Sequence, residues 1–262
     1  MKITVCIKQV PGTTHVEIDE ETGNLIRDGV DSKMNPYDLY ALETALKIKE
    51  QTGAEITAVS MGPPQAEEII REAYMMGIDN GRLYSDRKFA GSDVLATAYT
   101  LAQGIESVEI PDIIICGKMT TDGDTAQVGP EIAEFLNIAH ITNVLSILEI
   151  KDDSIVVEVD MPDTIDVAEV KFPCLITVEK GIFQPRLPSY KLKQQTKDRE
   201  ISVYSLKDYK DKNENHYGLS GSPTQVVRIF PPEPNTDHEI LRGSGTEIAE
   251  IMCAKLEELK YI

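Results

Sequence analysis

The sequence predicts an α/β protein with a doubly wound, mostly parallel sheet, to which a β hairpin region and a C-terminal arm are added. Apolar runs alternate with amphipathic runs of helical period from residue 3 to residue 137. The apolar runs are short and almost continuous, which is typical of parallel strands buried on both faces. This alternation favours right-handed crossovers between parallel strands.

The first part of the chain predicts a strand, a hairpin and a helix. Residues 3–10, ITVCIKQV, form a continuous apolar run and predict the strand. Residues 14–30 predict a hairpin with the turn ETGN between two short segments. Residues 35–50 predict an amphipathic helix with Asn35 as its N-cap and Pro36 at its first helical position.

Strands and helices then alternate three more times. The predicted strands are residues 54–62, 81–86 and 111–117, and the predicted helices are residues 63–77, 92–105 and 124–137. Gly77 is expected to end the first of these helices, because glycine readily adopts a left-handed conformation. Ser92 or Asp93 is expected to cap the second.

The pattern changes near residue 141. Two strands are predicted around the turn Lys151–Asp153. A further strand region contains Pro173, which fits a sheet edge or the start of a strand. Residues 183–200 are rich in Pro and Lys without an apolar period, which predicts a surface loop.

The chain is predicted to divide into a core, residues 1–200, and an arm, residues 201–262. Residues 201–245 show little pattern and predict an extended linker, and residues 247–262 predict a terminal amphipathic helix. An arm of this kind either lies on another protein or packs back on its own core. Composition leaves both alternatives open.

Charge and hydropathy exclude several classes of protein. The net charge is −18 and the pI about 4.6, which argues against nucleic acid or an anionic membrane surface as partner. No run of 18 apolar residues is present, so no membrane insertion is expected. The segment MKITVCIKQV lacks the features of a signal peptide and is interpreted as the first strand. A cytoplasmic protein is expected.

No metal site and no catalytic group stands out. The four Cys are dispersed without a CxxC motif, and the four His form no cluster. No nucleophile elbow, HExxH motif or Cys/His pair at helical spacing occurs. Such a protein is expected to hold a reactive cofactor rather than to act through its own side chains.

Ligands of open α/β sheets lie outside the carboxyl ends of the strands. Those ends are predicted at residues 6–10, 59–62 and 115–117. The motifs GxGxxG and GxxxxGK[ST] are both absent. The candidate is therefore the loop between the last of these strands and the next helix, residues 117–128, which we call the candidate loop.

The candidate loop combines glycine, neutral donors and acid. Gly117 lets the backbone turn, Lys118 provides one mobile cation, and Gly123 permits close approach of a ligand. Asp122 and Asp124 suit a nucleotide if one caps the helix and the other accepts from sugar hydroxyls. The phosphates would then lie on backbone N–H groups. The alternative is an ordinary capped turn between strand and helix.

Six motifs resemble the β subunit of electron-transferring flavoprotein, in matching order and spacing from residue 2 to about residue 200. They are IKQVPGT (7–13), NPYDLYALETALKIKE (35–50), SMGPPQAEEIIREAYMMGID (60–79), AGSDVLATAYTLA (90–102), CGKMTTDGDTAQVGP (116–130) and QPRLPSYKLKQQTKD (184–198). The resemblance implies a Rossmann-like, adenine-nucleotide-binding core in an α/β heterodimer. It also implies a C-terminal arm that packs on the α subunit.

The resemblance implies a set of cofactor-binding residues, carried over by position. They are Cys6, Asn35, Pro36, Tyr37, Asp38, Met61, Gly117, Lys118, Met119, Thr120, Thr121, Asp122, Gly123, Asp124, Thr125, Ala126, Gln127 and Val128. No catalytic residue and no metal ligand is implied.

The family has two branches that differ in the candidate loop. A simple branch keeps AMP in a loop resembling DDD-x-NQTG, whereas an electron-bifurcating branch binds a whole FAD in a loop resembling DGDTAQVGP. Residues 122–130 read DGDTAQVGP, so the chain resembles the bifurcating branch. Gly12 and Thr120–Thr121 depart from the family pattern, which expects Asp and Ala-Ile there.

Residues 184–198, here called the docking segment, resemble the loop that binds a partner dehydrogenase. The partner-binding residues are Leu187, Pro188, Ser189, Tyr190, Lys191 and Leu192. Proline framing and apolar side chains favour an interaction loop over the alternative, a merely solvated basic loop.

The resemblance implies a bifurcating function. FAD on this chain would exchange a hydride with NAD(H) and divide electrons between ferredoxin or flavodoxin and, through FAD on the α subunit, a flavin dehydrogenase of acyl-CoA or lactate type. This implies a heterodimer typical of an anaerobe. Two alternatives are an AMP-containing electron carrier without NADH chemistry, and a non-redox nucleotide-binding regulatory protein.

Overall fold

The computed structural model describes residues 1–12, 32–227, 236 and 238–262. The chain divides into two compact units, Met1–Val227 and Arg228–Ile262. The described helices are α1 (Pro36–Thr52), α2 (Glu67–Met76), α3 (Val94–Glu106), α4 (Val128–Leu136), α5 (Tyr190–Gln195) and α6 (Gly245–Glu258). None of these helices is long and apolar enough to cross a membrane.

The first unit contains all the described strands. They are β1 (Lys2–Cys6), β2 (Gln9–Pro11), β3 (Ser32–Met34), β4 (Glu55–Met61), β5 (Asn80–Tyr84), β6 (Ile113–Gly117), β7 (Ala139–Ile150), β8 (Ser154–Asp160), β9 (Ile165–Lys171), β10 (Cys174–Val178) and β11 (Ser202–Tyr204). Nine of them form one sheet in the order β11-β5-β4-β1-β6-β10-β7-β8-β9. Pairing is parallel from β11 to β7 and antiparallel between β7, β8 and β9. The predicted α/β class and mostly parallel sheet are confirmed.

Strand order reverses at the centre of the sheet. The chain runs from β1 to β4 and β5 on one side, and then crosses to β6 on the other. This reversal makes the gap between the carboxyl ends of β1 and β6 a topological switch point, where ligands of such folds bind.

Two apolar clusters cover the two faces of the sheet. One cluster joins β1 and β4 to helices α1 and α2, with Leu42 and Ile70 fully buried. The other joins α3 and α4 through residues such as Leu101 and Ile132. Helices on both faces explain why the central strands are apolar on both sides.

The first predicted strand is divided in two. The main strand ends at Cys6, and Gln9–Pro11 pairs with Ser32–Met34 in a separate antiparallel ribbon. The prediction of one strand over residues 3–10 was wrong because Lys8 leaves the sheet: its N–H donates to the carboxylate of Asp38. The whole of the predicted hairpin at 14–30 lies outside the described residues.

Helix α4 begins at Val128, four residues after the predicted start. Asp124 and Ala126 have positive φ angles of 49° and 55°, which a right-handed helix does not contain. The acidic residues that suggested a helix cap thus lie in an irregular loop. The predicted strands around Lys151–Asp153 and the strand start after Pro173 are confirmed.

The first unit extends to Val227, so residues 201–227 belong to it rather than to an arm. Strand β11 pairs with β5 at the sheet edge. Tyr209 is buried against Tyr84, and Tyr217 is buried against Tyr209 and Tyr99. An extended linker over all of 201–245 was therefore a wrong prediction. Residues 202–217 lack periodicity because aromatic side chains that contact α3 and β5 hold them.

The docking segment is not simply a loop. Residues Tyr190–Gln195 form α5, and the Ser189 hydroxyl caps it by accepting from the N–H of Leu192 at 3.4 Å. In the second unit, α6 begins after a capping box of Ser244 and Glu247. The terminal helix is thereby confirmed, two residues earlier than predicted.

Candidate functional site

The predicted strand ends meet at one edge of the sheet. Cys6 pairs in parallel register with Val59 of β4 and with Cys116 of β6. Cys6 is half-buried and Cys116 buried, and Met61 ends the neighbouring strand half-buried. Topology therefore brings together three of the segments that the sequence predicted to bind a cofactor.

The start of α1 closes this edge of the sheet. Asn35 is completely buried, and its backbone N–H donates to the carbonyl of Lys8 at 2.9 Å. Pro36 stands at the first helical position, as predicted. Asn35 precedes the helix, but its side chain makes no capping hydrogen bond and serves the candidate loop instead.

The amide of Asn35 joins α1 to the candidate loop. Its Nδ2 donates to Oδ1 of Asp38 at 2.8 Å and to the carbonyl oxygen of Met119 at 2.9 Å. Its Oδ1 accepts from the backbone N–H of Thr121 at 3.2 Å. One side chain thus holds the backbone of the loop on both sides of Thr120.

Asp38 is a buried carboxylate behind Asn35. Its exposure is 4%, and its oxygens accept from Asn35 and from the backbone N–H of Lys8 at 2.7 Å. Burial raises the pKa of Asp38 to about 7, although these hydrogen bonds and the Lys8 charge oppose the shift. The site therefore contains a carboxyl group that titrates near neutral pH.

Gly117 is the last residue of β6, and its backbone lies close to the start of α1. A Cβ at this position would lie 2.7 Å from the carbonyl carbon of Tyr37 and 2.7 Å from Oδ1 of Asp38. Only glycine permits this approach. Gly123, in contrast, faces open space, and a Cβ there would meet nothing closer than Oγ1 of Thr120 at 3.6 Å.

The acidity of the candidate loop is partly neutralised. Both carboxylate oxygens of Asp122 accept from Nζ of Lys8 at 2.8 Å. Partial burial alone would raise the pKa of Asp122, but the hydrogen bonds from Lys8 outweigh it and the pKa lies below its usual value. Asp122 is thus a paired anion and not a helix cap.

Two predicted roles in the loop are wrong. Lys118 is not a mobile cation, because its Nζ lies 2.5 Å from Oε1 of Glu179. Neither Asp122 nor Asp124 caps α4, whose N-cap is Gln127. Within the described part of the chain no side chain caps this helix, so its first N–H groups are available to an anion.

The residues present fit an anionic nucleotide. The neutral donors of the loop are Thr120, Thr121, Thr125 and Gln127, and the last three of these are exposed. Beside them stands the uncapped start of α4, where the helix dipole favours negative charge. Gly117 lets the start of the loop pack against α1, and Lys8 neutralises Asp122, one of the two acids of the loop.

Sequence reasoning missed Lys8 and Glu179 as parts of the site. Lys8 lies two residues after the end of β1, so its position near a strand end was the available signal. Glu179 directly follows the end of β10. Ser60 is a third missed residue: it is buried, and its Oγ finds no hydrogen-bond partner among the described residues.

The docking segment is fastened at both ends. Arg186 donates to the carboxylate of Glu43 from its backbone N–H at 3.0 Å, from Nε at 2.8 Å and from Nη2 at 2.8 Å. Its Nη2 also lies 2.7 Å from Glu50. At the far end, Arg199 donates to the carbonyl of Ile78 at 2.8 Å and lies over the ring of Tyr74.

Between these anchors two apolar side chains protrude. Leu187 is 87% exposed and Tyr190 is 76% exposed. Pro188 and Lys191 are also exposed, whereas Ser189 and Leu192 are half-buried. The structure therefore separates the predicted partner-binding residues into an exposed group and a supporting group.

Known proteins match most or all of this chain. The family described as "Electron transfer flavoprotein domain" matches residues 22–209. The electron transfer flavoprotein subunit beta of Thermoanaerobacterium thermosaccharolyticum is 44% identical over 264 residues, covering 100% of both chains. The subunit beta of Clostridium acetobutylicum is 42% identical, also over 100% of both chains.

A third relative carries a more specific name. The "Caffeyl-CoA reductase-Etf complex subunit CarD" of Acetobacterium woodii is 42% identical over 264 residues and covers 100% of both chains. Similarity therefore extends over the whole chain, including the second unit.

Proposed function

This chain belongs to the electron transfer flavoprotein family as a β subunit, and from that premise we propose that it is the small subunit of an electron-bifurcating complex. Subunits of this kind pair with an α subunit and take part in electron transfer. The proposal adds that this chain holds FAD, and not AMP, at the switch point between β1 and β6. A cytoplasmic location is part of the same proposal.

One observation carries the proposal: the start of α4 is uncapped beside an acid that Lys8 already neutralises. A diphosphate carries more negative charge than a single phosphate, so it gains more from such an end. The loop sequence DGDTAQVGP supports the same choice, because Gly123 leaves open space where a third Asp would add bulk and charge.

The residues of this chain would bind and orient the cofactor. Gly117 lets the start of the loop lie against α1, while Thr125 and Gln127 would donate hydrogen bonds from the exposed side of the loop. Asn35 keeps the loop backbone in place. When bound, FAD supplies hydride exchange with NAD(H) and single-electron transfer to ferredoxin or flavodoxin and to the FAD of the α subunit.

The partner of the docking segment is proposed to be a flavin dehydrogenase of acyl-CoA or lactate type. The exposed Leu187 and Tyr190 on a fastened base support a preformed contact with a protein. The name of the Acetobacterium woodii relative, a subunit of a caffeyl-CoA reductase complex, favours the acyl-CoA type.

The test is the cofactor content of the co-purified α/β complex, measured by acid release and chromatography. The proposal expects two FAD and no AMP per heterodimer. One FAD with one AMP would overturn it and leave a simple electron carrier. A colourless complex would indicate a non-redox nucleotide-binding protein.

The electron acceptor needs its own assay. Under anaerobic conditions, NADH oxidation in the presence of the partner dehydrogenase and its oxidised substrate should reduce ferredoxin in a fixed ratio. Ferredoxin that stays oxidised while NADH is consumed would contradict bifurcation and leave the FAD assignment intact.

A further inference from the structure

We propose that Asp38 is a positioning residue for the candidate loop: its carboxylate orients the Asn35 amide, and this amide holds the loop backbone at Met119 and Thr121. The proposal rests on the proposed function only for the identity of the ligand. The contacts themselves belong to this chain.

Only one orientation of the Asn35 amide satisfies its surroundings. Its NH₂ group faces two acceptors, the Asp38 carboxylate and the Met119 carbonyl, and its oxygen faces the N–H of Thr121. A rotated amide would set oxygen against both acceptors and NH₂ against a donor. Because Asn35 is completely buried, water cannot repair those contacts.

The charge of Asp38 strengthens this hold. Oδ1 accepts from Asn35 and Oδ2 accepts from the N–H of Lys8, so each oxygen faces a donor. Hydrogen bonds to a carboxylate are roughly twice as strong as those to a neutral group, so a neutral side chain at this position would hold the Asn35 amide less firmly.

Several charged or titratable groups act on Asp38 from the elements packed around it. The Lys8 ammonium favours the carboxylate, whereas the Asp122 carboxylate opposes it. The Cys116 thiol of β6 is a further neighbour that the Asp38 charge influences. Lys8 and Asp122 carry opposite charges and form an ion pair, so their effects on the pKa of Asp38 partly cancel.

The consequence is that the position of the loop backbone depends on Asp38, a residue outside the loop. While its carboxylate is present, the Asn35 amide is fixed and the loop backbone is held at both contacts. Without this carboxylate the amide loses one of its partners, and the segment that would hold the cofactor opens more often. This dependence belongs to the protein and exists whichever nucleotide is bound.

Hydrogen exchange of residues 117–127 tests the proposal on the purified α/β complex. Exchange is followed by mass spectrometry in the wild type and in the variant Asp38→Asn at one pH, and each rate is divided by the intrinsic rate of an unstructured peptide. Protection should be about 10-fold to 100-fold greater in the wild type, the effect of one charge-assisted hydrogen bond. Equal protection in the two proteins would overturn the proposal.

The variant Asp38→Asn separates positioning from general stability. An amide at this position must place its NH₂ against one of the two donors, so it loses one bond. The loss of protection should be concentrated in residues 117–127. An equal loss of protection over all described residues would mean lower general stability and would contradict the proposal.

Asp93→Asn is the matched control. Asp93 also accepts a backbone N–H at a helix start, at 3.0 Å from Ala96, and it also accepts from Thr224. It makes no contact with the candidate loop among the bonds of the described residues. This variant should therefore lose stability while residues 117–127 keep the protection that they have in the wild type. FAD content is measured separately, so failure of the FAD assignment leaves this test unaffected.

Discussion

Replacement of Arg186 by Met should destabilise the protein strongly although Arg186 lies near the surface. The reason is Glu43, whose side chain is only 3% exposed and whose carboxylate accepts three hydrogen bonds from Arg186. Removal of the guanidinium leaves the backbone bond and an uncompensated buried charge. Loss of one partner of a buried ion pair costs about 3–5 kcal/mol. We expect about 3 kcal/mol, because Lys47 lies 4.0 Å from Glu43 and offers partial compensation.

Differential scanning calorimetry of the complex with its α subunit measures the effect. A loss of this size lowers Tm by about 6–12 °C for a domain of this length. Arg71→Met is the control, because Arg71 forms an exposed pair with Glu67 at 3.4 Å and should cost less than about 1 kcal/mol. The double variant Arg186→Met, Glu43→Gln should recover part of the loss, since it removes the stranded charge. An Arg186→Met transition no lower than that of the control would refute the reasoning.

Three further predictions concern the docking segment, the loop acid and Asp38. Combined replacement of Leu187 and Tyr190 by Ala should weaken dehydrogenase binding by about 30-fold or more in a calorimetric titration, because it removes an interface hot spot. The free energy of unfolding should stay within about 0.5 kcal/mol of the wild-type value, since both side chains are exposed. Unchanged affinity would count against a docking role. Lys8→Met should lower nucleotide affinity several-fold, because Asp122 then faces the ligand without its partner. The double variant Lys8→Met, Asp122→Asn should restore the affinity. A double variant that binds as weakly as the single one would contradict this role of Lys8. Finally, the raised pKa of Asp38 means that its protonated form stabilises the folded state. The contribution is complete below the ordinary pKa of 3.8 and is lost as pH rises through about 7, with an upper value of about 4 kcal/mol. Unfolding free energies between pH 4 and pH 8 should fall less steeply in Asp38→Asn, and parallel curves would contradict this prediction.

Local pattern predicted the sheet because each central strand and helix carries its own signal. Residues 111–117 are apolar throughout, and the Asn35–Pro36 pair marks the start of α1. These signals lie within a few residues of the element that they specify. The same is true of Gly77, which ends α2 with a φ of 119° as predicted.

Contacts between distant residues could not be predicted in this way. Strand β11 is a three-residue segment, SVY, whose place is decided by pairing with β5. The buried Tyr84, Tyr209 and Tyr217 approach one another across many residues of sequence. Such contacts leave no periodic pattern in the sequence, so the segment after residue 200 was predicted to be a linker.

The candidate site shows the same division. Strand ends and glycine placed the candidate loop correctly, since both follow from topology and local backbone needs. Its electrostatics were misjudged, because Lys8 pairs with Asp122 and Lys118 with Glu179 over 114 and 61 residues of sequence. Asp and Thr near a helix are also common capping residues, which suggested an earlier helix start. The positive φ angles of Asp124 and Ala126 in the structure show that the helix starts later.

The central claim is that FAD binds in the candidate loop of this chain. The direct measurement is the FAD and AMP content of three complexes with the same α subunit: wild type, Gly117→Val and Gly123→Ala. A side chain at Gly117 meets Tyr37 and Asp38 at 2.7 Å, whereas one at Gly123 meets open space. We expect two FAD in the wild type and in Gly123→Ala, and one in Gly117→Val, whose loop cannot pack against α1. Two FAD in all three complexes would place the flavin elsewhere, and AMP in the wild type would contradict the claim outright.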